Sequence, residues 1–244
     1  MKKNHTLSIE SVIDREGEIF VFRVLDMLDM LEQEYHNEAN PPELGHAEPL
    51  DGLVLTVLSQ NTNDKNRDAA FENLQKNYAD YHEIVDSGAV ELAKIIKSAG
   101  LAATKSSRII EILRKIHEDF GEYSLKNLAK FSRTQAWDYL INFKGIGVKT
   151  VACVLLFDLK MKAFPVDTHV SRITRRLGIV TEKTHADEIS LLFERFVPEN
   201  RCLGGHVNMI AHGRAVCHSR KPDCEICVLR EICKSFGTFF NPRT

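Results

Sequence analysis

Four cysteines, Cys217, Cys224, Cys227 and Cys233, fall in the single stretch CHSRKPDCEICVLREIC. Their spacing, CX6CX2CX5C, is short enough for four thiolates to wrap around one centre, and both zinc and an iron–sulfur cluster accept four. Structural zinc more often uses two short CX2C knuckles, whereas this stretch has one with longer arms on either side. The unequal spacing favours a cluster, with zinc the alternative. Disulfides fit poorly. The opening MKKNHTLSIESVIDREGEIF has two lysines with no apolar run behind them, and no run of about 18 apolar residues could span a bilayer. A reducing, cytoplasmic interior without membrane attachment is therefore expected. Cys153, in an apolar run, and Cys202, standing alone, read as ordinary thiols.

A second chemical feature is TQAWDYLINFKGIGVKTVACVLLFDL, residues 134–159. Gly145 and Gly147 bracket one apolar residue, which allows a tight turn between two helices and resembles a helix-hairpin-helix motif. The start of the second helix presents unsatisfied N–H groups and the positive end of a dipole, both suited to phosphate. Such contacts position DNA and carry no base sequence. The same turn also serves as an ordinary helix connection, but Lys144 and Lys149 flank it on both sides. Lys149 sits on the first turn of an otherwise apolar helix. There the dipole, neighbouring cations and partial burial all disfavour the ammonium, so the amine can act as a nucleophile that forms a Schiff base. Asp167, in FPVDTHVSRITRRLGI, precedes another helix and suits an N-cap. The same carboxylate, ionised, would stabilise positive charge developing on a sugar.

These residues have to be held by helices. Apolar side chains recur at i, i+3, i+4, i+7 in Val21, Val24, Leu25 and Leu28, in Ile109, Ile112, Leu113 and Ile116, and in Ile189, Leu192, Phe193 and Phe196. Sustained period-2 alternation is hard to find, so the fold class is all-α. Breakers NPPELGHAEP, SAG and DFGEYS separate the helical runs. They suggest an extension with one acidic helix over 1–47, a helical domain over 48–158, and a C-terminal part over 159–244. The first 15 or so residues are expected to lack order. Hydrophobic residues make up 43% of the 244, an ordinary globular share, and the net charge is −2. The charge is uneven: residues 1–51 hold 12 acidic and 4 basic side chains, which leaves the rest mildly basic and compatible with nucleic acid.

FKGIGVKT, then PVDTH, then HGRAVC leading into CX6CX2CX5C together resemble the endonuclease III family of DNA glycosylases. VLTVLSQNTND at 54–64 looks like that family's segment entering the DNA minor groove. The resemblance runs from about residue 50 to 234. It implies two helical domains with DNA bound across a cleft: a six-helix barrel ending in the hairpin, and a domain made of the N-terminal helix and the C-terminal segment. It also implies that the four cysteines hold a [4Fe-4S] cluster and that Lys149 and Asp167 form the catalytic pair. The expected partner of this monomer is double-stranded DNA with damaged bases or abasic sites. Oxidised pyrimidines would be excised and the strand nicked by β-elimination. Gln60 and Asn61 are candidate gap-fillers for the flipped base, while Lys144, Gly145, Gly147, Arg220 and Lys221, with Arg214 and Arg230, are candidate phosphate contacts. Two departures stand out: Lys144 occupies a position commonly proline, and Gln60-Asn61 varies from the commonest family wording. The alternatives are a monofunctional glycosylase for mismatched or deaminated bases, which Lys149 opposes, and a non-catalytic, metal-stabilised DNA-binding module.

Overall fold

The computed structural model describes residues 16–239, with side chains from residue 21 onward; the opening segment expected to lack order lies outside the described residues. The elements are α1 (Glu16–Tyr35), α2 (Pro49–Ser59), α3 (Asp64–Asn77), α4 (Tyr81–Ile95), α5 (Ala102–Phe120), α6 (Arg133–Ile141), α7 (Val148–Cys153), α8 (Thr168–Arg176), α9 (Ala186–Phe196), α10 (Glu199–Ala215) and α11 (Phe236–Phe239). No strand occurs among the described residues, and none of their helices is long and apolar enough to cross a membrane. The chain divides into one unit of Glu43–Pro165 and a second that joins the residues up to Pro42 with those from Val166.

In the Glu43–Pro165 unit, α2 runs through the centre and packs on α3, α5 and α7. Its Leu50, Leu53, Val57 and Leu58 are fully buried, which is why this helix reads as nearly continuous apolar sequence. The periodic set on α5 is buried as its spacing predicts, from Ile109 to Ile116. Ser132 caps α6 in a reciprocal capping box with Gln135. The apolar run after the hairpin is not one continuous α-helix. It widens after Cys153 into a π-turn, Val154–Asp158, where the Leu159 N–H bonds back to the Val154 carbonyl at 3.0 Å. That extra residue per turn aims Asp158 inward, where its carboxylate accepts from the His46 N–H and faces His46 Nδ1, both at 2.9 Å.

In the other unit, α10 packs against α1 and α8. Close approach requires its small residues: a Cβ on Gly204 would lie 2.4 Å from the Glu38 backbone, and one on Gly213 would lie 2.5 Å from the His169 ring. Val24, Met27, Leu28 and Leu31 form the buried stripe of α1. Where α1 ends, Glu32 accepts from the N–H groups of Glu38 and Ala39 at 2.7 and 2.9 Å and from the Asn208 amide of α10 at 2.8 Å. Arg201 of α10 pairs with Glu38 at 2.5 Å and Asp29 at 2.8 Å.

Candidate functional site

The hairpin joins α6 to α7 through Asn142–Gly147, and its two glycines serve different purposes. Gly145 has φ +79, and a Cβ there would lie 2.2 Å from the Arg108 guanidinium, so both backbone and packing demand glycine. Gly147 is the N-cap of α7 at an ordinary φ of −111, with no side-chain cap, and a Cβ would meet nothing within 4 Å. The backbone is therefore open to an incoming group at Gly147. Lys144 and Lys149 are both exposed beside it. Lys149 has no hydrogen-bond or ion-pair partner among the described residues, while its neighbours Thr150, Val151 and Ala152 are buried and fix the helix beneath it.

Gln60 and Asn61 end α2 and point to different tasks. Gln60 is drawn toward the hairpin: its Oε1 accepts from Arg108 of α5 at 2.5 Å, and its Nε2 donates to the Gly145 carbonyl at 3.3 Å. Asn61 is exposed at φ +53, a left-handed conformation that Asn tolerates better than most residues. The structure thus brings Gln60 and Gly145 together and leaves Asn61 free at the tip. A residue that sequence patterning missed stands beside α5. Leu101 is 61% exposed at φ +49, directly after the positive-φ Gly100. A large apolar side chain held outward on a strained backbone is a marker of function, and the SAG breaker before it was the only sequence signal.

In the other unit Asp167 is the N-cap of α8. One carboxylate oxygen accepts from the N–H groups of His169 at 2.8 Å and Val170 at 2.9 Å, and the second has no hydrogen-bond partner among the described residues. The same helix holds the cysteine loop. Arg172 donates to the carbonyls of Cys217 and Gly213, both at 2.9 Å. One turn on, Arg176 donates to the Cys217 sulfur at 3.2 Å and to the carbonyls of His218 and Ser219, and it packs over the Phe239 ring. Arg220 and Lys221 lie exposed on that loop, as do Arg214 and Arg230 near its ends.

The four sulfurs fit a cluster. Burial pushes the Cys227 thiol up to about 11, and Cys217, Cys233 and Cys224 push it the same way; burial and then Cys233 and Cys217 also raise Cys224. Sulfurs that repel one another as thiolates need positive charge among them, which a metal centre supplies. Outer partners are present as well: His212 Nε2 lies 3.5 Å from the Cys227 sulfur, and Tyr35 holds the opposite ring nitrogen at 3.1 Å.

Residues 54–199 match the family model described as HhH-GPD superfamily base excision DNA repair protein. The chain belongs to that superfamily. Residues 217–233 further match the iron-sulfur binding domain of endonuclease III, so this HhH-GPD chain carries a [4Fe-4S] cluster. It is 34% identical to an endonuclease III of Thermotoga maritima over 78% of this chain and 84% of that one. It is 32% identical to a putative DNA glycosylase of Arabidopsis thaliana, of which it spans 59%. The fold is similar to endonuclease III in a non-covalent DNA complex and in a trapped covalent DNA intermediate, each with TM-score 0.77, 25% identity and coverage of 89% of this chain and 97% of that one. As an HhH-GPD protein it is an endonuclease III-like base excision repair DNA glycosylase.

Proposed function

We propose that the chain removes oxidised pyrimidines from double-stranded DNA and then cleaves the strand through a Schiff base on Lys149. The observation that carries this reading is Lys149 itself, an exposed amine without a protein partner, on the first turn after an open hairpin. The likeness to an endonuclease III trapped covalently on DNA supports it.

The target nucleotide first leaves the duplex, at a cost of a few kcal/mol that is smaller where pairing is already weak. Asn61 and Leu101 occupy the vacated space, the amide toward the orphaned base and the leucine between neighbouring bases. The lone pair of Lys149 Nζ attacks C1′, and the glycosidic electron pair departs with the base, which gains a proton. Asp167 uses its uncommitted oxygen to balance the positive charge on the sugar. Ring opening gives an iminium between Nζ and C1′. Loss of a proton from C2′ then expels the 3′ phosphate with the C3′–O electrons. Water hydrolyses the Schiff base and restores the amine. Lys144, Gly147, Arg220 and Lys221 contact phosphates. The cluster on the four cysteines braces the loop that carries Arg220 and Lys221.

The test is borohydride trapping and incision on duplexes that each carry one lesion. Wild type should form a covalent adduct and nick oxidised-pyrimidine and abasic duplexes, and Lys149→Ala should lose the adduct entirely. Undiminished trapping by Lys149→Ala would remove Lys149 from the reaction.

A further inference from the structure

Lys105 is a large, fully buried side chain, 1% exposed, although it lies in the polar-looking stretch ATKSSR at the start of α5. Its Nζ donates to the Leu58 carbonyl at 2.7 Å and to the Ala99 carbonyl at 2.8 Å, and it has no carboxylate partner among the described residues. Neither its own helix nor its neighbour favours a cation there. The first turn of α5 is the positive end of a dipole, and burial followed by Arg108 push the ammonium's pKa down. What the position offers is the two carbonyls. Leu58 lies in the last turn of α2, and Ala99 closes a short 3-10 turn, Lys97–Ala99. Both are helix-end carbonyls that lack an intrahelical donor and carry partial negative charge.

Each carbonyl is also the root of an exposed tip. Three residues after Leu58 the chain turns left-handed at Asn61, and two residues after Ala99 it does so at Leu101. A methionine of similar length would fill the cavity but would leave both buried carbonyls without a donor. A buried ammonium instead ties the two roots to one atom, whose reach fixes the spacing between the loops.

We propose that Lys105 is a positioning residue for strand opening: by bonding Leu58 and Ala99 it sets the separation at which Asn61 and Leu101 enter the duplex. This rests on the glycosylase/lyase reading above. Lys105 does not touch the sugar, so its effect falls on extruding a paired nucleotide and spares the chemistry on one already unpaired.

The experiment compares single-turnover incision of one lesion in a duplex with incision of the same lesion in a single strand, for wild type, Lys105→Met, Leu101→Ala and the double variant. Lys105→Met should slow the duplex reaction by about tenfold or more and the single-strand reaction by less than about twofold. In the Leu101→Ala background the further loss on duplex should shrink to about twofold, because both changes disable one device. Equal losses on both substrates, or independent losses that multiply in the double variant, overturn the proposal. Should Lys105→Met not fold, Lys105→Arg keeps donors for both carbonyls on a bulkier head. A duplex-to-single-strand ratio shifted by more than about threefold then supports positioning, and an unchanged ratio overturns it. Failure of wild type to act on any lesion would refute the glycosylase/lyase reading instead.

Discussion

Arg108 donates to Gln60 at 2.5 Å and packs against Gly145, so one guanidinium on α5 supports both the end of α2 and the α6–α7 hairpin. Gln60 completes the link with its bond to the Gly145 carbonyl. A charged hydrogen bond of this kind contributes about 1.5–3 kcal/mol. Arg108→Ala should lower the urea midpoint accordingly and weaken binding to an abasic duplex. Arg108→Lys should not restore either, because a lysine lacks the planar guanidinium that packs against Gly145 while it donates to Gln60.

The cap made by Asp167 and the charge role proposed for it can be separated by substitution. Asparagine keeps an oxygen to accept from the His169 and Val170 N–H groups but has no charge; alanine has neither. Asp167→Asn should unfold within about 0.5 kcal/mol of wild type, while Asp167→Ala should lose about 1 kcal/mol. Both should cut single-turnover excision by about a hundredfold or more. A fully active Asp167→Asn would leave the residue a cap only.

Stability on the acid side should depend on Glu32. Burial pushes its pKa up, but the bonds from the Glu38 and Ala39 backbone and from Asn208 outweigh that, and the net shift is below the ordinary 4.5. A carboxyl lowered by folding stabilises fully above its unfolded pKa and loses that contribution as pH falls through the folded value. Glu32→Gln should therefore be less stable than wild type at pH 7, and the difference should close as pH drops below about 4. A gap that stays constant with pH would mean the charge is immaterial.

Among the described residues from Cys217 to Phe239, Leu229 alone is fully buried. So small an apolar core leaves the loop to the hydrogen bonds of Arg172 and Arg176 and to the cluster. Purified protein should contain about four irons per chain. Removing them should open Arg220 and Arg230 to trypsin while Glu43–Pro165 stays resistant, as read by mass spectrometry of the fragments. Zinc in place of iron would contradict the assignment.

The helices were legible because amphipathic spacing decides burial locally: Ile109, Ile112, Leu113 and Ile116 are all 3% exposed or less. Asp167 as a cap was legible for a similar reason, since Asp competes for the N–H groups next to it in sequence. The link between Arg108 and Gln60 was not, because it spans 48 positions and arises only from packing. Nothing in ATKSSR singles out Lys105, and only the folded chain reveals the two carbonyls that draw it inward. Leu101 escaped because a left-handed backbone after Gly100 turns it outward, where apolar pattern alone expects burial. The π-turn was hidden in an apolar run that suits either winding.

Asn61 and Leu101 are L-residues at φ +53 and +49, a conformation that costs Leu101 about 1–2 kcal/mol and Asn61 less. The chain bears that cost once, when it folds and before any nucleic acid arrives. If the tips enter DNA as proposed, an encounter would lose little loop entropy, and their success would depend on how weakly each base pair is held. Such a tool would sense lesions by the looseness they cause, and its rate should follow the ease of opening the pair as well as the identity of the base.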